Sequence, residues 1–115
     1  MKRMIFYSFS MVKVVLSYNE IPMDKKVVLD FFATWCTSCK KIYPQFEEME
    51  ANFKNIEFIK IDVDEGEDIS TIMDIKSLPT FIFMENGKEV DRMEGSGVEV
   101  LREKLMKLDN KKKMD

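Results

Sequence analysis

An apolar run from Val27 to Phe32, broken only by Asp30 and followed closely by the chain's two cysteines, Cys36 and Cys39, constrains this sequence most. A nearly continuous apolar run of that length suits a strand buried on both faces, which in turn needs a covering layer on each side of its sheet. Beyond the cysteines, Ile42, Phe46, Met49 and Phe53 recur at spacings of four, three and four, one face of a helix. Pro44 lies inside that helix and should kink it, because proline lacks an amide donor and crowds the preceding turn. The cysteines therefore sit where a buried strand turns into a helix, with the helix opening at Cys36.

The flanking sequence extends this pattern. Val12 to Leu16 predicts a short strand, and the polar stretch Asn19 to Lys26, with Pro22, predicts a turn or a very short helix. Ile56 to Val63 reads as a second central strand, and Ile69, Ile72 and Met73 mark a short helix. Phe81 to Met84 and Lys88 to Met93 flank Asn86-Gly87, the strongest local signal for a two-residue hairpin. Val98, Leu101, Leu105 and Leu108 give a closing amphipathic helix. Strands alternating with helices predict an α/β sheet covered on both faces. With no repeats, low-complexity tracts or Pro/Gly-rich linkers in 115 residues, the expectation is one domain over 11–109, preceded by an extension at 1–10 and followed by a charged tail at 110–115. Lys2, Arg3 and the aromatic residues after them faintly suggest a targeting segment. Ser8, Ser10 and Lys13 interrupt it, so an extra strand or loose extension is the preferred reading.

Composition narrows the chemistry. Eighteen basic and twenty-one acidic residues are interspersed along the chain, and the one basic run, Lys111 to Lys113, is too short to indicate nucleic acid or a membrane surface. No apolar stretch approaches the twenty or so residues that span a bilayer. The sequence contains no histidine, which removes Ser-His-Asp and Cys-His nucleophiles, zinc fingers and His-ligated haem from consideration. A structural bridge between Cys36 and Cys39 would close a loop of only four residues, worth roughly 2 kcal/mol by chain entropy against about 3 for a fifteen-residue loop. Redox chemistry is the stronger reading.

At a helix N-terminus, unpaired amides and the helix dipole stabilise an anion, and a thiolate placed there has its pKa lowered from about 8.5. Cys36 is thus the candidate nucleophile. Cys39, one turn further along, faces the same way and can resolve a mixed disulfide. Asp30 lies within an apolar strand, where an unpaired carboxylate would cost several kcal/mol, so it is expected to hold its proton and act as a proton store near Cys39. Lys60 interrupts the second central strand and is the candidate modulator of Asp30. Trp35, directly before the nucleophile, is expected to cover it.

These residues give the chain a resemblance to the thioredoxin family that runs from about Met11 to Leu108. Trp35-Cys36-Thr37-Ser38-Cys39-Lys40 resembles the family's active-site motif, and Asp30, Lys60 and Pro44 match its buried aspartate, neighbouring lysine and helix-kinking proline. Leu78-Pro79-Thr80 matches the loop whose cis-proline faces the cysteines, and Gly95 matches a glycine lining the substrate groove. The resemblance implies a thioredoxin fold, with a central mixed sheet of four to five strands flanked by helices. It implies a protein disulfide oxidoreductase that needs no cofactor or metal of its own, acts as a monomer and is reduced by a flavin-dependent reductase. It also implies a substrate surface built from Trp35, Thr37, Ser38, Leu78, Pro79 and Gly95, and a reduced cytoplasm as the default compartment, with an organelle as the alternative. Two departures stand out. Thr37-Ser38 replaces the family's Gly-Pro, which should loosen the turn and offer two hydroxyls to a thiolate. The segment before Val27 is several residues short, so the first helix should be truncated or missing, unless Met1 to Ser10 replaces it. Two other readings compete: a docking module with vestigial redox activity, and a metal centre shared between the cysteines of two chains.

Overall fold

In the computed structural model, which describes residues 12–110, five strands form one mixed sheet. Strand β1 is Lys13–Val14, β2 Lys26–Phe32, β3 Ile56–Asp62, β4 Thr80–Glu85 and β5 Lys88–Glu94. Three helices accompany them: α1 Thr37–Asn52, α2 Glu67–Ile72 and α3 Val98–Asn110. The strand order is β1-β3-β2-β4-β5, so β2 occupies the centre. It pairs parallel with β3 and antiparallel with β4.

Side chains alternate along a strand, and here the alternation divides the core into two layers. Val28, Phe58, Phe81 and Phe83 pack on Ile42, Phe46 and Met49 of α1 and on Leu101, Leu105 and Leu108 of α3. Val27, Leu29, Phe31, Ile59, Ile61 and Ile82 pack on the opposite side with Ile69 of α2 and with Val15 and Ile21. Full burial of one such aliphatic or aromatic side chain contributes roughly 1.5–3 kcal/mol. The same alternation puts Asp30 and Lys60 on the α1 side, where the parallel register makes them direct cross-strand partners.

Most predicted elements appear with boundaries shifted by a residue or two. The expected strand at Val12–Leu16 shrinks to Lys13–Val14, and the reason is local. Ser17 and Glu20 form a capping box: Ser17 Oγ accepts from the Asn19 amide, and Glu20 Oε1 accepts from the amides of Leu16 and Ser17. These bonds turn the chain out of the sheet into a 3-10 turn at Tyr18–Glu20. Among the described residues that single turn takes the place of a full first helix, as the shortened segment predicts. Pro44 lies inside α1 as expected, leaving the Lys40 carbonyl without its usual helical donor. Asn86 and Gly87 both have positive φ, 52° and 80°, matching a two-residue turn of the primed type. The proposed extension at 1–10, and most of the tail, lie outside the described residues.

Candidate active site

Cys36 is the N-cap of α1, with extended backbone angles (φ −90°, ψ 109°), and Thr37 opens the helix. Strand β2 delivers the chain to this point through Ala33, Thr34 and Trp35. Cys36 and Cys39 are joined by a disulfide whose Cα atoms are 5.3 Å apart. Cys36 is 7% exposed and Cys39 3%. The Cys39 amide donates to Cys36 Sγ at 3.3 Å, and Ser38 Oγ lies 3.5 Å from the same sulfur. An amide, a hydroxyl and the helix N-terminus therefore converge on the sulfur that would carry negative charge after reduction. Of the two hydroxyls between the cysteines, only Ser38 makes this contact; Thr37 points to solvent and makes none.

Asp30 is 1% exposed, and its Oδ1 has no hydrogen-bond partner. Burial pushes its carboxyl up to about 7, with the Lys60 ammonium pulling in the opposite direction. The expected proton store is therefore a buried group poised near neutrality. An open cavity of about 410 Å³ joins Asp30 to Cys39 and is walled by Lys40, Tyr43, Pro44 and Lys60. Lys60 is half-buried, and its Nζ stands 4.2 Å from the centroid of the Tyr43 ring and 5.3 Å from that of Phe32. Two aromatic faces thus hold the ammonium beside Asp30.

A second recess, of about 370 Å³, opens on Cys36 and is bounded by Trp35, Val63, Ile75, Lys76 and Leu78. Trp35 stands at its rim, 67% exposed, with its indole Nε1 donating to Asp64 Oδ2 at 2.9 Å. The Leu78-Pro79 peptide is cis, as the resemblance implies, and Pro79 is buried. Gly95 donates its amide to the Pro79 carbonyl at 2.9 Å and has φ +103°, a conformation that side chains strain to adopt. Of the residues picked out in the sequence, Asp30 and Lys60 line the cavity on Cys39, Trp35 and Leu78 line the recess on Cys36, and Pro79 and Gly95 are hydrogen-bonded to each other in the chain beyond Leu78.

Comparison with known proteins agrees with this geometry. The thioredoxin family model matches residues 12–107. The chain belongs to the thioredoxin family. It is similar to thioredoxin-1 of Caenorhabditis elegans, at 45% identity over 83 residues covering 72% of each chain. Similarity to Gallus gallus thioredoxin is 45% over 85 residues, covering 74% of this chain and 81% of the relative. Among solved structures, Plasmodium falciparum thioredoxin superposes with a TM-score of 0.80 at 38% identity, over 84% of this chain and 98% of that one. This member of the thioredoxin family is a thiol–disulfide oxidoreductase, with Cys36 and Cys39 as its redox pair.

Three contributors escaped the sequence reading: Tyr43, Phe32 and Asp64. Tyr43 follows Cys39 by four residues, so helical spacing places it above the same cavity, and that spacing is its one signal in the sequence. Phe32 and Asp64 carry none, because their roles depend on what β3 and the loop after it bring alongside.

Proposed function

We propose that this protein reduces disulfides in other proteins, with Asp30 as the proton acceptor for Cys39 and a flavin-dependent reductase as its electron source. The observation that carries this reading is the cavity in which the buried Asp30, its Oδ1 without a hydrogen-bond partner, and the resolving Cys39 share a wall. In the reduced protein the Cys36 thiolate attacks one sulfur of the substrate disulfide and expels the other as a thiolate. The Cys39 thiol then gives its proton to the Asp30 carboxylate, and its sulfur attacks Cys36 Sγ. The Cys36–Cys39 bond forms, the mixed disulfide breaks, and the substrate leaves with two electrons. Lys60 favours the ionised form of Asp30 and so readies it to accept. Trp35, Thr37, Ser38, Leu78, Pro79 and Gly95 form the surface that receives the substrate chain.

Among the described residues no helix is long and apolar enough to cross a membrane. The reading extends to a monomer working in the cytoplasm, where thiols stay reduced. Insulin reduction driven by dithiothreitol tests the core of it. Wild-type protein should turn over and Cys36→Ser should not. Cys39→Ser should accumulate a mixed disulfide on Cys36, and Asp30→Asn should react more slowly near neutral pH. Near-normal turnover by both cysteine variants would end the proposal, and a wild type that fails to reduce insulin would leave a docking role in its place. NADPH with a flavin-dependent thioredoxin reductase should substitute for dithiothreitol.

A further inference from the structure

The loop Ile75–Leu78 walls the recess on Cys36, so its placement decides what can lie against the sulfur. Its far end is fixed by Gly95, whose amide donates to Pro79, and by Thr80 Oγ1, which donates to the Ser77 carbonyl at 2.6 Å. Its near end is fixed differently. Helix α2 stops with Asp74 in the left-handed region (φ 56°). The Asp74 amide donates to Thr71 and the Ile75 amide to Ser70, at 3.1 and 3.0 Å. This reverses the chain and leaves the Met73 and Asp74 carbonyls without helical donors.

Both carbonyls are taken by one side chain from the far edge of the sheet. Arg92, on β5, donates from Nη2 to the Met73 carbonyl at 2.8 Å and from Nη1 to the Asp74 carbonyl at 3.3 Å. Glu89 grips the same guanidinium, accepting from Nε at 2.7 Å and from Nη2 at 2.8 Å. A rigid planar fork, itself held by a carboxylate, fixes two successive carbonyls in a way that a lysine's single ammonium cannot. The positive charge also suits the negative end of α2.

We propose that Arg92 is a positioning residue for substrate recognition: by clasping the carbonyls of Met73 and Asp74 it fixes the Ile75–Leu78 loop against Cys36. It takes no part in the sulfur exchange. The inference rests on the reading that this recess receives the substrate chain. Two disulfides of different size separate recognition from chemistry. On that reading a protein chain such as insulin lies along the loop, whereas the small 5,5′-dithiobis(2-nitrobenzoate) has no chain to lay there.

The experiment measures the reaction of the fully reduced protein with each disulfide by stopped flow. Losing charge-assisted hydrogen bonds to the loop should cost Arg92→Gln about tenfold in rate with insulin, and less than about twofold with the small disulfide. Arg92→Lys should fall between wild type and Arg92→Gln. Exchange of the Asp74 and Ile75 amides with deuterium should accelerate in Arg92→Gln, which a general loss of stability would not confine to these residues. Should Arg92→Gln fold poorly, Glu89→Gln offers a milder test, with an insulin-specific loss of about two- to threefold as the guanidinium loosens. Equal losses with both disulfides, or no loss with insulin, would overturn the role of Arg92. A wild-type protein that reacts with the small disulfide and not with insulin would overturn the substrate-recess reading beneath it.

Discussion

Replacing Asp30 by Asn should stabilise the oxidised protein by an amount that grows with pH. In the folded chain, burial lifts this carboxyl from 3.8 to about 7 against the pull of Lys60. In the unfolded chain it titrates at its ordinary value of about 4. Below that value both states keep the proton, and ionisation does not separate them. As pH rises from about 4 to about 7, the unfolded chain releases a proton that the folded chain retains, so stability is lost as pH rises. At about 1.4 kcal/mol per unit, the loss levels off near 4 kcal/mol above the folded value. Asparagine cannot ionise. The difference between variant and wild type should therefore be small at about pH 4 and reach about 4 kcal/mol by about pH 8, or roughly 15–30 °C in melting temperature. Any fixed cost of burying an amide beside the unpartnered Oδ1 position cancels when two pH values are compared. Urea unfolding of both proteins by circular dichroism across this range supplies the test. Parallel stability curves would mean that Asp30 titrates normally in the fold, and the burial argument would fail.

Other perturbations address the remaining contacts. Ser38→Ala removes the hydroxyl 3.5 Å from Cys36 Sγ. It should make the dithiol a stronger reductant by roughly 30–65 mV, the equivalent of one charge-assisted hydrogen bond, measured against glutathione. Substituting Gly-Pro for Thr37-Ser38 should shift the potential in the same direction, and an unchanged potential in both variants would exclude hydroxyl control of the thiolate. A double-mutant cycle of Tyr43→Leu with Lys60→Met should give a coupling of about 0.5–2 kcal/mol by urea unfolding, while Tyr43→Phe preserves it. Phe46→Ala empties a fully buried site in contact with Phe58 and Phe81 and should cost about 3–5 kcal/mol; a loss below about 2 would show that the layer collapses to fill the space.

Sequence reasoning reached the parts of this molecule whose signals are local. The run Val27–Phe32 declared a central strand because both its faces had to be buried, and Asp30 stood out because it broke that run. Asn86-Gly87 marked the hairpin through positive φ, a requirement written in two residues. Cys36 at a strand-to-helix turn carried its chemistry in the motif itself. What remained hidden is assembled across the chain. Lys60 stood out as a break in the second central strand, but its register with Asp30 and the rings of Tyr43 and Phe32 that hold its ammonium were beyond the sequence. The Trp35–Asp64 bond spans 29 residues and Arg92 reaches Met73 across 19, distances at which periodicity carries no information. The capping box at Ser17–Glu20 was legible in principle, since a serine with glutamate three residues later is its signature.

The order of the strands divides labour along the chain. The redox pair Cys36 and Cys39, with the Asp30 and Lys60 proposed to move its proton, falls in one β2-α1-β3 unit, whereas the loop beside Cys36 hangs between α2 and the β4–β5 hairpin. Arg92 and Gly95 fasten that loop from within the same later stretch. On the reading proposed above, the sulfur and proton chemistry lies in the earlier stretch, while the substrate surface is shared between the two, with Trp35, Thr37 and Ser38 in the earlier and Leu78, Pro79 and Gly95 in the later. A graft exchanging residues 73–95 for those of another family member would alter the second part of that surface and leave the potential of the cysteine pair where it was. Changes in the later stretch can therefore reshape the recess beside Cys36 while leaving the sulfur chemistry in place.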